Sequence, residues 1–471
     1  MTERSLSQPS VFIIGAGWSG LSAAIQLVRA GRRVRVLEAA PQAGGRARRQ
    51  VLNWPDGSEI ILDNGQHLLL GAYRETLALI RSLGGRGMKR LPFDWQNVAG
   101  VRLQRHGQGG ASSGDESISR QLAESLSMVG AMVNAQGLSR RLRVSLLRTL
   151  VMARLTHWRP AVGVRTVADW FERTGQPPAL IRQLWEPLVV SAMNTPPELA
   201  SAATFLRVLR DSLGKEPAAS DFVLAGEDLA ALLVDPALAF LGKHGMPVAL
   251  RTPVREISRE PDGRFTLRVQ DPVEGEQQLR AEQIVLATPP AVSARLLAGV
   301  LDAATLAPLN AFDYRPITTA YVGWKAELPG LPAHLPVMMS LIGPEGAPEG
   351  DGPAHWFFDR GEQAGWRLAA LVISDSGQAL ARGDEALLAG LQRQLTQLLK
   401  LPPAGHIALI HEKRATFACT PERPVVPPGF LQPQLPGLVL AGDYSYGPYP
   451  ATLEGAVRSG RMAAELLLDG D

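Results

Sequence analysis

The chain has 471 residues, of which 45% are hydrophobic, and this length predicts two domains with separate cores. Lysine and arginine exceed aspartate and glutamate by only three charges, a surplus too small for a general nucleic-acid-binding role, so no nucleic acid partner is expected. The single cysteine, Cys419, excludes an internal disulfide and is typical of a reducing compartment. A cytoplasmic location is therefore expected.

The sequence also predicts neither a metal site nor a membrane-spanning helix. The eight histidines form no i, i+4 pair and no second cysteine exists, so no metal site is expected. No run of 18 uncharged apolar residues occurs, and the polar first ten residues lead straight into the first predicted strand. We expect a soluble or peripheral protein without a signal peptide or a spanning helix.

An apolar run, Val11–Ile14, predicts a buried strand and leads directly into a G-x-G-x-x-G motif at Gly15, Gly17 and Gly20. The first glycine allows a tight turn, the second lets a pyrophosphate approach the backbone, and the third lets the next helix pack on the strand. The N-terminus of that helix favours an anion. A second predicted strand ends at Glu38, whose carboxylate is placed to accept hydrogen bonds from a ribose. The motif predicts an adenine-dinucleotide site.

A second glycine pair follows soon after the ribose-binding acid. Gly44 and Gly45 bring the backbone close to a ligand, and Arg46 offers forked donors to a phosphate, with a solvated surface arginine as the alternative. This continuation resembles the FAD-binding superfamily of amine oxidases and carotenoid desaturases, whereas nicotinamide-dependent dehydrogenases generally lack it. The resemblance implies that the bound dinucleotide is FAD.

Three later segments contain candidate functional side chains. Residues 63–67 end a predicted strand, and His67 is a candidate proton donor or hydrogen-bond partner, with a structural hydrogen bond as the alternative. Residues 138–158 carry leucines at helical spacing flanked by arginines, which favours either a helix on an anionic membrane surface or a helix in a protein core. Glu186 is a candidate buried acid in a pocket, or a salt-bridge partner of nearby arginines.

Further strand-like segments occur far from the N-terminus. Residues 283–287 and 438–441 are short apolar runs that can extend the nucleotide-binding sheet. The predicted cofactor domain is therefore discontinuous and consists of residues 1–90, 222–295 and 411–471. The predicted substrate-binding domain consists of residues 91–221 and 296–410. The fold class is α/β, a Rossmann-like FAD-binding domain with an inserted mixed α+β substrate domain.

The flavoprotein resemblance also implies cofactor contacts in the later part of the chain. It places Gly442 and Asp443 beside the ribityl chain and pyrophosphate, with an ordinary helix-capping turn as the alternative for Asp443. The next helix, beginning at about Thr452 and Leu453, would point its N-terminus at the flavin O2 edge, where its dipole stabilises the negative charge of the reduced ring. Val254 matches the position where relatives hold the adenine through backbone groups, with a core valine as the alternative.

Four longer motifs narrow the resemblance: residues 62–80, 184–201, 208–213 and 441–467. Together they resemble the bacterial hydroxysqualene dehydroxylases of hopanoid pathways, and the likeness covers nearly the whole chain. It implies conversion of hydroxysqualene and reduced FAD to squalene, FAD and water. It also implies a long apolar isoprenoid substrate, upstream squalene-pathway enzymes as partners, and a place at the inner face of the membrane.

The implied reaction requires a proton donor for the leaving hydroxyl, and His67, Glu186 and Tyr444 are the candidates. A phytoene or carotenoid desaturase is the closer alternative, because it shares the fold and the long isoprenoid substrate. An amine oxidase is a weaker alternative, because Thr452 stands where those enzymes carry an aromatic residue of their substrate cage. A non-catalytic FAD protein that passes squalene precursors between enzymes is the remaining alternative.

Overall fold

The computed structural model describes residues 11–105, 130–213, 217–343 and 352–470. The strands are β1 Val11–Ile14, β2 Val34–Leu37, β3 Arg49–Asn53, β4 Glu59–Asp63, β5 Leu69–Leu70, β6 Met88–Leu91, β7 Asp94–Gln96, β8 Arg102–Gln104, β9 Phe222–Ala225, β10 Val254–Arg259, β11 Phe265–Asp271, β12 Gly275–Ala281, β13 Gln283–Leu286, β14 Tyr314–Lys325, β15 Met338–Ser340, β16 Trp356–Gln363, β17 Trp366–Ile373, β18 His406–Phe417 and β19 Leu438–Leu440.

The helices are α1 Trp18–Arg29, α2 Arg74–Ser82, α3 Arg140–Leu155, α4 Val167–Thr174, α5 Pro178–Leu180, α6 Glu186–Met193, α7 Ala202–Leu213, α8 Asp235–Lys243, α9 Pro290–Leu297, α10 Ala303–Asn310, α11 Gly377–Ala381, α12 Asp384–Arg393 and α13 Leu453–Asp469. Single π-helical turns join α5 to α6, precede α8 and follow α12: Ile181–Trp185, Ala230–Val234 and Gln394–Leu398.

The predicted nucleotide-binding strand, β1, lies inside a parallel four-stranded sheet with the order β19, β13, β1, β2. Its side chains alternate between two cores. Val11 and Ile13 pack on the side of α1 and α13, whereas Phe12 and Ile14 pack toward the antiparallel sheet β10–β11–β12. Strands from three distant parts of the chain thus form one sheet, which confirms the predicted Rossmann-like architecture.

Glycines let the elements around β1 approach closely. Gly15 has a φ of +105°, and a Cβ on it would lie 2.6 Å from the carbonyl oxygen of Ala287. A Cβ on Gly20 would lie 2.0 Å from the carbonyl oxygen of Gly15, so α1 rests directly on the turn that precedes it. A Cβ on Gly460 would lie 2.1 Å from the carbonyl oxygen of Ser19, so α13 contacts α1 through the backbone.

The second part of the molecule contains an antiparallel sheet with the order β15, β16, β17, β14, β18. Ala320 and Val322 of β14 pack on one face with the helix α12, while Tyr321 faces the aromatic core of the helices α4 to α7. The hydroxyl of Tyr321 donates a hydrogen bond of 2.8 Å to the carbonyl oxygen of Asp63, at the end of β4. This arrangement confirms the expected mixed α+β part and fixes it to the nucleotide-binding part.

Helix α9 crosses the division that the sequence predicts between residues 295 and 296. Leu306 and Leu309 of α10 belong to the same core as Phe12 and Ile14 of β1. The hydrophobic core beside the nucleotide-binding sheet therefore continues past residue 295 to Phe312.

The basic segment 138–158 contains α3, which has two apolar faces. Leu138, Leu146 and Ala153 are buried in the protein core. The side chains of Val144, Val151 and Leu155 are 64%, 56% and 68% exposed. Packing in the protein core, one of the two alternatives for this segment, therefore accounts for one face of α3 only. None of the helices in the described ranges combines the length and the hydropathy needed to cross a membrane.

A buried carboxylate joins the last helix to α2. Glu454, in the first turn of α13, is 1% exposed and accepts hydrogen bonds from the backbone N–H groups of Glu75 (3.2 Å) and Thr76 (2.9 Å). These N–H groups belong to the first turn of α2, where no intrahelical acceptor exists. Arg458 donates to the same carboxylate at 2.7 Å. Glu454 therefore neutralises the N-terminus of α2 and the charge of Arg458 at once.

We expect Glu454→Ala to lower the free energy of unfolding by about 2–3 kcal/mol, because it leaves buried donors without an acceptor. The matched control is Glu465→Ala on the same helix, since Glu465 forms an exposed i, i+4 ion pair with Arg461. That control should cost about 0.5 kcal/mol or less. Urea unfolding of both variants measures the difference, and equal costs would contradict the role of Glu454.

Candidate FAD-binding and active site

Two glycine turns form the predicted pyrophosphate site. The N–H of Gly44 donates to the carbonyl oxygen of Ala16 at 2.9 Å, which holds the second turn against the first. A Cβ on Gly17 would lie 4.0 Å from the Cα of Gly45, so any side chain there would fill the groove between the turns. Helix α1 starts at this groove with no side-chain cap and no acidic residue in its first turn. The residues present therefore fit a pyrophosphate group.

Glu38 lies at the end of β2, as the sequence predicts for a ribose-binding acid. Its carboxylate accepts hydrogen bonds from the N–H groups of Ala16 (2.7 Å) and Ala40 (2.8 Å). These bonds fix the carboxylate beside the first glycine turn and leave lone pairs for two ribose hydroxyls. The carbonyl oxygen of Glu38 accepts from the N–H of Thr252, which places the buried Val254 two residues farther along, at the start of β10.

Arg46 and Asp443 lie 397 positions apart in the chain and form an ion pair. The Nη2 atom of Arg46 lies 2.6 Å from Oδ1 of Asp443, and Nη1 donates to the carbonyl oxygen of Ala415 at 2.7 Å. Asp443 is 7% exposed. Burial alone would lower the pKa of Arg46, but the neighbouring Asp443 carboxylate raises it above its usual value. The guanidinium therefore stays charged. Two predicted cofactor-binding residues thus come together, and the phosphate contact of Arg46 stays a prediction.

The segment from Gly442 to Leu453 carries the chain from β19 into α13. The N–H of Gly442 donates to Oγ of Ser459 at 2.9 Å. Thr452 caps α13, because its Oγ1 accepts from the N–H of Gly455 at 2.9 Å, and Leu453 is the first helical residue.

Ala451 precedes this cap with a φ of +57°, a backbone conformation that is unfavourable for alanine. Its N–H donates to the carbonyl oxygen of Asp443 at 3.2 Å. The strained turn thereby holds the N-terminus of α13 beside Asp443. Strain that is retained in this way is typical of ligand-binding sites.

His67 lies close to the Arg46 guanidinium. Its Nδ1 lies 2.6 Å from the carbonyl oxygen of Gly65, and because a carbonyl only accepts, Nδ1 carries the proton. Burial lowers the pKa of His67 and the charge of Arg46 lowers it further, while the hydrogen bond to Gly65 opposes both effects. This shift favours the neutral ring, in which Nε2 is a hydrogen-bond acceptor.

Glu186 lies in the first turn of α6, in the helical part of the molecule. Burial raises its pKa, the neighbouring Glu198 raises it further, and Arg182 opposes both effects. This environment favours the protonated carboxyl that a general acid requires.

Tyr444 is 2% exposed, and its ring packs on Phe312 with centroids 5.6 Å apart, in the core beside the nucleotide-binding sheet. Burial raises the pKa of its phenol. Among the described residues no hydrogen bond or ion pair joins His67, Glu186 and Tyr444. Their roles stay predictions.

Asn194 has a structural role that the sequence analysis did not assign. It ends α6 with a φ of +44°, donates from Nδ2 to Oγ1 of Thr416 (2.9 Å) and accepts at Oδ1 from the N–H of Asp375 (2.7 Å). The helix that carries Glu186 is thereby fixed to β18 and to the segment that follows β17. The local sequence offers one signal for this contact: Asn194 follows a helical run, and a proline comes two positions later.

Asp63 was also missed as a contact residue. Its Oδ1 accepts from the N–H of Leu229 at 2.7 Å, and Oδ2 lies 3.8 Å from Arg360 of β16. Burial raises the pKa of Asp63 to about 6, although Arg360 opposes the shift. No local sequence pattern signals these partners, since they lie 166 and 297 positions away.

Comparison with known proteins agrees with this geometry. The family model described as flavin containing amine oxidoreductase matches residues 18–468. The chain belongs to this family. It is 30% identical to a hydroxysqualene dehydroxylase from Rhodopseudomonas palustris over 470 residues, covering 98% of each chain. It is 26% identical to a probable zeta-carotene desaturase from Synechococcus elongatus, covering 52% of this chain and 51% of the relative.

Solved structures share the fold of this chain. The crystal structure of a putative protoporphyrinogen oxidase from an Exiguobacterium species superposes with a TM-score of 0.66 at 17% identity, covering 99% of this chain and all of that one. A flavin-containing family and a dinucleotide-binding sheet together identify the cofactor as FAD. This protein is an FAD-dependent oxidoreductase, and its resemblance to the hydroxysqualene dehydroxylases is confirmed.

We expect Asp443→Asn to weaken FAD binding by about tenfold or more, because it removes the buried charge that holds the Arg46 guanidinium in place next to the second glycine turn. The matched control is Asp359→Asn, since Asp359 forms a partly buried ion pair with Arg367 in the large sheet. Titration of the apoprotein with FAD, followed by fluorescence, gives both dissociation constants. An affinity equal to that of the control would show that the ion pair does not serve the cofactor.

Proposed function

We propose that this flavoprotein removes the hydroxyl group of hydroxysqualene reductively and releases squalene and water. The observation that carries the proposal is the relationship to a hydroxysqualene dehydroxylase along 98% of both chains. The zeta-carotene desaturase match covers only about half of each chain, so a desaturase is the weaker candidate. The reaction balances: a proton and a hydride are added, the C–O bond breaks, a C–H bond forms, and water leaves.

In this proposal the cofactor is held by the paired glycine turns, Glu38 and the Arg46–Asp443 ion pair. Bound in its reduced form, FAD supplies the hydride for the new C–H bond. The helix α13 directs its positive end to the same region through the Thr452 cap, so it favours negative charge there.

The remaining task is to protonate the leaving hydroxyl, and we assign it to Glu186. Its raised pKa supports a protonated carboxyl, and the Asn194 contacts hold its helix against the large sheet. His67 would accept a hydrogen bond from the substrate hydroxyl through Nε2 and orient it. Tyr444 is the least suitable donor of the three, because its phenol is buried in an aromatic core.

Anaerobic, photoreduced enzyme should convert hydroxysqualene to squalene with reoxidation of the flavin. Glu186→Gln should lower the rate about 100-fold, because it removes the general acid. The rate of the wild type should fall as rising pH deprotonates Glu186, and the variant should lose this dependence. Glu172→Gln, at an exposed position of α4, is the matched control.

The outcomes of this assay separate the alternatives. No squalene, or turnover only with phytoene or with an amine, would contradict the proposed function. Normal squalene formation by Glu186→Gln would contradict the assigned proton donor alone and leave the proposed function standing.

The proposal includes an anionic membrane surface as the source of this water-insoluble substrate, at the inner face of the membrane. The exposed side chains Val144, Val151 and Leu155 of α3 support it, together with the arginines of the same helix. No aspartate or glutamate occurs between residues 125 and 168. Apolar side chains surrounded by arginines suit an interface rich in anionic lipid. Enzymes of squalene formation at the same surface are the partners we propose.

We expect the protein to sediment with vesicles of phosphatidylcholine and phosphatidylglycerol, and much less with pure phosphatidylcholine. Val144→Ser combined with Leu155→Ser should reduce binding at least fivefold. Val273→Ser combined with Val425→Ser is the matched control, because those side chains are 89% and 69% exposed elsewhere. Equal binding by both double variants would exclude α3 as the contact surface.

A further inference from the structure

A cavity of about 620 Å³ lies at one end of the large sheet, outside the site described above. It is lined by Arg315 near the start of β14, by residues of the segments 352–355 and 373–382, and by the helix α12 with its π-helical extension. Ligand cavities in proteins span roughly 300–1,000 Å³, so this one has the size of a binding site. Neither the cofactor groove nor Glu186 is part of it.

The charge of the lining favours an anion. Arg315, Arg382 and Arg393 line the cavity, and Asp375 is the one carboxylate among the described lining residues. The lining therefore carries a surplus of two positive charges. Arg382 and Arg393 are exposed and border the cavity from α11 and α12, so they can move to meet a ligand.

Arg315 forms the inner, half-buried part of the positive lining. Its Nη1 lies 3.4 Å from Asp375, and its Nη2 lies 3.0 Å from the exposed Asp313. Its Nε is buried, and no acceptor among the described residues reaches it. A guanidinium with an unused, buried N–H is prepared to bind a further oxygen acceptor.

Neutral donors complete the lining. Ser374 and Ser376 are buried at 6% and 1% exposure and both line the cavity. The Nδ1 of His355 accepts from the N–H of Ser374 at 3.1 Å, so the neutral imidazole carries its proton on Nε2, as a donor. Hydroxyls, an imidazole N–H and guanidinium groups together form a donor-rich surface.

We propose that this cavity binds a phosphate-bearing anion. Phosphate oxygens match the forked donors of arginine, and the cavity has room for a group larger than phosphate itself. The cavity is connected to α6, because the N–H of Asp375 donates to Oδ1 of Asn194 at the end of that helix. This inference is independent of the proposed reaction, since its test measures binding and requires no turnover.

The test is calorimetric titration of the FAD-loaded enzyme, at low ionic strength, with inorganic phosphate, diphosphate and ADP. The combined variant Arg382→Gln with Arg393→Gln changes exposed side chains and should fold normally. We expect the wild type to bind at least one probe, and this variant to bind it at least tenfold more weakly. Arg86→Gln combined with Arg173→Gln removes two exposed arginines elsewhere and should bind like the wild type.

The probes also identify the kind of ligand. Tighter binding of ADP than of diphosphate would indicate a nucleotide, and the reverse order would indicate a free phosphate or diphosphate. Lack of binding of all three probes to the wild type would overturn the proposal. An equal loss of affinity for the probe in the cavity variant and in the control variant would also overturn the proposal, because it would show a general effect of charge.

Discussion

The ion pair between Arg46 and Asp443 is the contact on which the proposed cofactor site depends. It joins the second glycine turn to the segment that leads into α13, and burial of Asp443 makes the loss of either partner costly. Helix α13 also packs directly on α1, where Oγ of Ser22 donates to the carbonyl oxygen of Val457 at 2.9 Å, but Arg46 and Asp443 add a charged contact at the glycine turn itself. The pair therefore fixes the second glycine turn relative to the segment that leads into α13.

Local patterns in the sequence predicted the elements that depend on local chemistry. The apolar run of β1 is a buried strand in the structure, and the glycines at 15, 17 and 20 form a tight turn after it. Both follow from the residues themselves, since the apolar side chains favour burial and glycine adopts the positive φ found at Gly15. Thr452 is an N-cap for the same reason. The acid at the end of β2 also lies where the motif places it.

Contacts between distant segments were not predictable from one sequence. Nothing near Asp63 indicates that Tyr321, 258 positions later, donates to its backbone. Glu454 reads as an ordinary first-turn acid of α13, yet it caps a different helix 378 positions earlier. The two faces of α3 were not predictable either. The spacing of the leucines indicates apolar stripes on a helix but not which stripe packs against the protein core. The candidate proton donors likewise depend on tertiary contacts that spacing does not encode.

The strand order of the nucleotide-binding sheet has a consequence for synthesis. Strand β1 leaves the ribosome first, but its neighbour β13 follows after about 270 residues and the edge strand β19 only near the end of translation. Until β13 is made, β1 has β2 as its one neighbour in this sheet, and pairing between strands so far apart in sequence slows folding and favours aggregation. The sheet that carries the two glycine turns is therefore complete only when the last part of the chain has been synthesised.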